Sequence, residues 1–388
     1  MNDAGHRERG GPVRILHLHS SFSLGGKEAR AVRLMNLMQD RAQHTILSAV
    51  PDALGARDAI DPGVDVLFPT DAPPLAGRPS LNRYRALADY SFRFDLILSY
   101  NWGAMDGVMA HRLFAKGRWY DAPPFLIHHE DGFNEDESHR RNWKRNLFRR
   151  FALRDAAALA VPSQKLADIA KAEWKVRGDR LHLIRNGIDV AAYATPPSRD
   201  IPGFKRRAGE VVIGTVAGLR KVKDLPRLVQ AVAQLPSHIR LVIVGEGPER
   251  PAIADEAAAL GMADRLVMPG FMAEPWRWIG HFDMLALSSR SEQAPIAVIE
   301  AMAAGLPVVS PEVGDVATIV SPRNRPFIAA NEAEFRAALR HMVEDGAVRN
   351  SVGAENRRVA AQCFDESGMV AAYEKLYGAA LGGYRLFS

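Results

Sequence analysis

Met284-Leu285-Ala286-Leu287-Ser288-Ser289-Arg290-Ser291-Glu292-Gln293-Ala294-Pro295-Ile296-Ala297-Val298-Ile299-Glu300-Ala301-Met302-Ala303-Ala304-Gly305-Leu306-Pro307-Val308-Val309 reads as a strand, a loop, a helix and a second strand. The apolar run Met284 to Leu287 has the character of a buried strand. A polar loop carrying Glu292 follows. Pro295 opens a helix that ends near Gly305, with proline and glycine at the ends each favours. Pro307 to Ser310 returns to strand. This unit is the repeat of a parallel α/β sheet. A loop and helix N-terminus beyond a strand leave backbone N–H groups and a positive dipole end free for an anion. Two carboxylates flank that place, Glu292 on the loop and Glu300 within the helix. Carboxylates accept hydrogen bonds from hydroxyls. The combination points to a ligand with both a diphosphate and sugar hydroxyls. Glu300 also sits among Ile296, Val298, Ile299 and Met302, where an acid without a partner would be costly.

Working outward, the same alternation recurs. In the first half, Val13 to His19, Thr45 to Val50, Val64 to Phe68, Leu96 to Ser99, Phe125 to His128 and Ala158 to Pro162 read as strands. Helical patterns run over Glu28 to Met38 and Asn142 to Leu153. Ala191 to Gly209 lacks periodicity and holds Pro196, Pro197, Pro202 and Gly203, as a linker does. The pattern then restarts with strands Val211 to Val216, Leu241 to Val244 and Leu266 to Met268, and helices Leu225 to Leu235 and Pro251 to Leu260. We therefore expect two doubly wound, Rossmann-like α/β domains facing across a cleft: residues 12–190, a linker over 191–209, and residues 210–364. A C-terminal helix within residues 365–388 is expected to cross back to the first domain. A chain of 388 residues exceeds one ordinary core, which agrees with two domains.

Composition narrows the class. One cysteine, Cys363, rules out an internal disulfide framework and fits a reducing compartment. Met1 to Gly11 is polar, without an apolar signal core, and no apolar run is long enough to span a bilayer. The expected location is cytoplasmic, free or peripheral at the inner membrane face. A net charge of +5 favours anionic partners. It is concentrated in His139 to Phe151, where Arg140, Arg141, Lys144, Arg145, Arg149 and Arg150 alternate with Trp143, Leu147, Phe148 and Phe151. Such a helix either packs its apolar stripe on the core or lies on an anionic membrane surface. No nucleic-acid motif accompanies it, so nucleic acid is not an expected partner.

Further motifs lie at strand ends. Gly25-Gly26-Lys27-Glu28 joins the first strand and first helix; it is a tight turn or a place for an anion. It is not a P-loop, because Ser21 and Glu28 stand where glycine and Ser/Thr belong. Arg220 and Lys223 follow the strand Val211 to Val216 and suit a diphosphate, or else form a solvated basic turn. Gly245-Glu246-Gly247 is a structural strand-to-helix turn rather than a nicotinamide fingerprint, since Arg250 replaces the third glycine. His128, His129, Glu130 and Asp131 end a first-domain strand, where histidine beside acid suits hydroxyl binding or proton transfer. Arg185 to Asp189, including Asn186, reads as a turn. There is no Asp-x-Asp triplet for a diphosphate-bound metal, no Gly-x-Ser-x-Gly elbow and no cysteine ligand set.

Taken together, four segments resemble the retaining glycosyltransferases of family 4, of the exopolysaccharide or lipid-linked sugar type. They are Gly25-Gly26-x-Glu28; Asn186-Gly187-Ile188-Asp189; Val222-Lys223-Asp224 with Gly245-Glu246-Gly247-Pro248; and Glu292 to Glu300 with Ala301 to Val309. The resemblance implies the two-domain glycosyltransferase B fold. It also implies metal-independent transfer, with retention, of a sugar from a nucleotide-sugar to a glycan or lipid-linked acceptor. The nucleotide-sugar would be a substrate, with no cofactor. Glu292 would bind the donor sugar and Glu300 the ribose. Lys223 would bind the diphosphate, with Gly25 and Gly26 on its other side and Ala294 and Ile296 lining the donor. His128 would lie at the transferred sugar and, with Glu292, carry the catalytic role. His129, Asp131 and Asn186 would face the acceptor. Two departures stand out: Ala217-Gly218-Leu219 replaces a usual Gly-Arg-Leu, making Arg220 the substitute cation, and Asp131 replaces a frequent histidine. A nucleotide-sugar 2-epimerase and a non-catalytic partner subunit of the same fold are the competing expectations.

Overall fold

A computed structural model of the chain describes residues 11–23, 25–115, 123–133, 137 and 141–387. Of the sequence expectations, the N-terminal lead-in up to Gly10, Leu24, His139 and Arg140 fall outside the described residues. The chain divides into two units, Met1–Arg185 with Met369–Ser388, and Asn186–Gly368.

The first unit is built on a parallel sheet of seven strands. They are β1 (Val13–His19), β2 (Ala42–Ser48), β3 (Val66–Leu67), β4 (Leu96–Tyr100), β5 (Phe125–His129), β6 (Ala158–Val161) and β7 (Leu181–Leu183). Their order is β3-β2-β1-β4-β5-β6-β7. Both faces of the central strands are covered, so these strands read as continuous apolar runs rather than alternating ones. Leu16, Leu18, Ile97 and Leu126 pack on one face, and Val13, Ile15, Leu98, Tyr100 and Ile127 on the other. The second face is closed by Met369, Tyr373, Leu376, Tyr377 and Ala380 of the helix Glu366–Ala380. The end of the chain thus completes the core that its beginning starts.

The second unit holds six parallel strands, β8 (Val211–Val216), β9 (Ile239–Val244), β10 (Leu266–Gly270), β11 (Met284–Ala286), β12 (Val308–Pro311) and β13 (Ile328–Ala329). Their order is β10-β9-β8-β11-β12-β13. β11, the following loop, the helix Ile296–Ala303 and β12 reproduce the strand–loop–helix–strand reading, and β11 pairs with both β8 and β12.

Three differences from the sequence reading have physical causes. The expected linker is not a free connector. Val190, Tyr193 and Ile201 are buried in the second unit's core, and Asp189 caps the short turn Val190–Ala194 by accepting from the Ala192 N–H at 3.2 Å. Ile188, just before it, bridges Asp365, and Arg206 near its far end pairs with Asp283 at 2.7 Å, so the segment is pinned at both ends. Its few apolar side chains lack period, which is why composition alone marks it as linker. The edge strands β7 and β13 were too short to give a period. Helices such as Leu81–Ser91 and Gln164–Ala172 are announced mainly by caps, Ser80 accepting from Arg83 N–H and Ser163 from Leu166 N–H. Among the described residues, no helix is long and apolar enough to cross a membrane.

Candidate functional site

In the second unit, two loops at the C-terminal ends of neighbouring strands are fastened together. After β8 the chain runs through Gly218 and Arg220 into the turn Lys221–Lys223. After β11 it runs through Ser288 to Pro295. Arg290 N–H donates to Val222 O at 2.9 Å, Ser288 Oγ to Lys223 O at 2.9 Å, and Arg290 Nε to Asp224 Oδ2 at 2.9 Å. Lys223 Nζ and Glu292 Oε1 form an ion pair at 2.6 Å, and Ser289 Oγ donates to the same oxygen at 2.7 Å. Both members of this pair are largely shielded, which strengthens the attraction relative to a surface pair. Lys223 and Glu292 thus face one another at the strand ends, each the other's charged partner.

The glycine-rich turn after β9 supports the first loop from beneath. Gly245 has φ 141° and a Cβ there would stand 1.9 Å from Ala217 O; at Gly247 it would stand 2.4 Å from Leu219 O. Only glycine permits this approach. A Cβ on Gly218 would lie 3.6 Å from Arg220 Nε, so the Arg220 guanidinium runs alongside the position where a side chain at Gly218 would start.

Glu300 lies in the helix Ile296–Ala303, half-buried, between the buried Ile299 and Ala301. Burial pushes its carboxyl up to about 7, while a hydrogen bond from Tyr193 pulls the other way. That bond runs from Tyr193 Oη to Glu300 Oε1 at 3.2 Å. Asn186 Nδ2 donates to Ala294 O at 3.0 Å at the head of the same helix, and Ala294 and Ile296 are half-buried there. Asn186, expected on the acceptor side, therefore holds a loop of the second unit.

The first-unit candidates are arranged differently. Gly25 precedes the helix Gly26–Met38 in extended conformation, and a Cβ on it would meet Glu28 Oε2 at 2.9 Å. Glu28 folds back on its own helix N-terminus, where burial raises its carboxyl pKa against the pull of Lys27. Lys27 Nζ pairs with Glu28 Oε1 at 3.0 Å and donates to Ser20 Oγ at 2.5 Å. An anion at Gly25 and Gly26 has to share this helix end with the Glu28 carboxylate.

At the end of β5, side chains alternate across the sheet. His128 is fully buried, with Nδ1 2.9 Å from Ser99 Oγ and Nε2 3.7 Å from Glu130 Oε2. The ring has no exposed surface in this conformation. His129 points to the other face, stacked on Tyr100 with its Nε2 2.9 Å from Tyr377 Oη. Burial, then the nearby Arg30 charge, push it down to about 3, so it stays neutral. Asp131 is the more accessible acid here. Arg30 grips it at 2.7 and 2.9 Å, and the Asn101 side chain accepts from its N–H at 2.7 Å. Burial opposes ionisation of Asp131, but Arg30 prevails and holds its carboxyl below the ordinary range.

The sequence reading missed Tyr193, Arg30 and Ser289. Tyr193 sits in a segment without period, and its only signal is an aromatic residue in a proline-rich stretch. Arg30 and Asp131 are 101 positions apart, a pairing that no local pattern reveals.

Two Rossmann-like units with parallel sheets of seven and six strands define the glycosyltransferase B fold. Residues 24–192 match the family described as Glycosyltransferase Family 4, and residues 199–359 the one described as Glycosyl transferases group 1. The two units thus each resemble one of the two glycosyltransferase families matched, and together they have the B fold. It is 28% identical over 179 residues to the putative glycosyltransferase EpsF of Bacillus subtilis strain 168, covering 43% of this chain and 46% of that protein. It is 29% identical over 246 residues to a D-inositol 3-phosphate glycosyltransferase of Jonesia denitrificans, covering 57% of each. The chain spans about half the length of these curated relatives. Among solved structures, Anabaena Alr3699/HepE in complex with UDP and glucose superposes with a TM-score of 0.77 at 21% identity, over 95% of this chain and all (100%) of that one. Sucrose-phosphate synthase from Thermosynechococcus elongatus gives 0.74 at 17%, over 96% and 100%. At these identities the likeness shows the fold.

Proposed function

We propose that this chain transfers a sugar from a nucleotide-sugar to a glycan or lipid-linked acceptor, with retention at the anomeric carbon and without a metal ion. The Lys223–Glu292 pair, at the end of the strand–loop–helix unit that carries Glu300, is the observation that carries this reading. A nucleotide-sugar supplies a match for each member. Its diphosphate takes the Lys223 ammonium, a sugar hydroxyl donates to the released Glu292 carboxylate, and the ribose hydroxyls donate to Glu300. Arg220, alongside Gly218, adds a second cation near the phosphates. In the transfer, the bond from the anomeric carbon to the phosphate oxygen breaks while a bond to the acceptor oxygen forms on the same face. The acceptor's hydroxyl proton passes to the departing phosphate, whose charge Lys223 and Arg220 stabilise as it develops. The first unit, with Asp131 and Arg30, receives the acceptor. The UDP in the Alr3699/HepE complex makes UDP-sugars the first donors to try.

The helix Trp143–Ala152 supports a membrane-associated acceptor. Trp143, Leu147 and Phe151 are spaced one turn apart and are 68%, 58% and 44% exposed, with exposed Lys144, Arg150 and Arg154 around them. A solvent-facing apolar stripe bordered by cations fits an anionic lipid surface.

Transfer from UDP-, GDP- and ADP-sugars, assayed with wild type and Glu300→Ala, tests the function. We expect one donor to be used and the variant to fall at least about 100-fold through lost nucleotide contacts. Near-normal turnover by Glu300→Ala sinks the assignment. Turnover of the donor in the absence of any acceptor would instead favour an epimerase.

A further inference from the structure

We propose that Tyr193 is a positioning residue of the donor site, whose hydroxyl holds Glu300 as the acceptor for the ribose hydroxyls. The inference rests on the nucleotide-sugar reading above and adds the residue that makes Glu300 competent.

Two bonds tie the segment 186–194 to the helix that carries the acid. Asn186 Nδ2 donates to Ala294 O at its head, and Tyr193 Oη donates to Glu300 Oε1 within it. The segment has little freedom of its own. Asp189 caps its turn, Ile188 is bridged to Asp365, and the Tyr193 ring is 5% exposed, edge-on to Trp276 with centroids 6.5 Å apart. A hydroxyl on so fixed a ring chooses one orientation for the carboxylate it meets. Oε1 is engaged by Tyr193, leaving Oε2 as the free acceptor.

The same bond bears on charge. Burial raises the Glu300 carboxyl to about 7, and the Tyr193 hydrogen bond is the opposing influence. Burial, then the Glu300 charge, raise Tyr193 well above its ordinary value, so it remains a donor throughout the working range. Asp189, on Tyr193's own segment, acts on the pair by raising Tyr193 further. Without the hydroxyl, Glu300 keeps its proton to higher pH and the nucleotide loses an ionised acceptor near neutrality.

Tyr193→Phe keeps the ring and removes the bond. Calorimetry with UDP at pH 6.5 and 8.5, repeated with 2′,3′-dideoxy-UDP, reads the consequence. We expect UDP to bind the variant roughly tenfold more weakly at pH 6.5, a charge-assisted hydrogen bond's worth. The gap should narrow at pH 8.5, and the dideoxy analogue should bind both proteins alike. Carbon-13 NMR of the glutamate carboxyls should show one titration, that of Glu300, moved to higher pH. An equal loss for UDP and its dideoxy analogue, or an unmoved titration, overturns the role of Tyr193 and leaves the donor site standing. If wild type binds none of UDP, GDP and ADP, the donor reading itself fails and this inference with it.

Discussion

Glu300 keeps its proton in the folded chain up to about pH 7, whereas an unfolded glutamate releases it near pH 4.3. Between those values the folded state binds more protons than the unfolded one. The acid therefore lowers stability progressively as pH climbs through that window. Glu300→Gln carries no charge at any pH. The variant should melt like wild type at pH 5 and above it at pH 8.5, as scanning calorimetry would read directly. An equal difference at both pH values would mean that Glu300 is not desolvated in the unliganded protein. Such an acid, costly to the fold, is what a site tuned to a ligand retains. Its importance was legible in the sequence, because an acid between Ile299 and Ala301 is conspicuous. Its partner was not, because Tyr193 lies 107 positions away in a segment that reads as connector. The burial of His128 was not legible: β5 is a central strand covered on both faces, so His128 and His129 are both buried, and it is the layers packed on the sheet rather than any pattern in Phe125 to His129 that decide this.

At the level of elements, the helix Trp143–Ala152 is amphipathic with its apolar stripe outward. Its inner side packs Phe148 and Ala152 on the core around a buried, fully bonded arginine. Arg149, fully buried, bonds Glu130 and Glu137 at 3.1 to 3.3 Å and lies 4.9 to 5.4 Å from the ring centres of Trp102, Phe133 and Trp174. The buried cation anchors the helix while Trp143, Leu147 and Phe151 face solvent. The sequence alternation allowed either side to face in, and a buried arginine with two acids is the arrangement that apolar counting would not choose. Substituting Trp143, Leu147 and Phe151 together by serine should leave the fold intact and abolish flotation with anionic liposomes. Wild type should float at low salt and detach as salt rises. Flotation of the triple variant like wild type would assign membrane attachment elsewhere, and no flotation of wild type would remove it. The strand–loop–helix–strand unit at Met284 to Val309 was the most legible element. Its strands are buried on both faces, and its helix starts after a proline and stops before a glycine.

At the scale of the whole molecule, the two units should differ in their response to acid. His17, His19, His44 and His129 are buried in the first unit and held neutral by burial, His44 at about 4 and His129 at about 3. Unfolding frees them to bind protons near pH 6.5. Their contribution is present above that value and is lost as pH falls through it toward 4. Hydrogen exchange should show protection in β1 and β5 falling between pH 7 and 5 while β8 and β11 hold theirs. A uniform loss in both units would contradict it. Two domains and their parallel sheets were readable because each strand-and-helix repeat carries its own pattern. The return of Met369–Ser388 to the first core depends on contacts far apart in sequence, such as His129 with Tyr377, 248 positions on. On the proposed function, the second unit is a nucleotide-sugar site built on Lys223, Glu292 and Glu300. Calorimetric titration of UDP, GDP, ADP and inorganic pyrophosphate into wild type, Lys223→Ala and Glu300→Ala tests it most directly. One nucleoside diphosphate should bind wild type. Lys223→Ala should weaken it together with pyrophosphate, and Glu300→Ala should weaken the nucleotide alone. No binding by wild type, or unchanged binding in both variants, would contradict the claim.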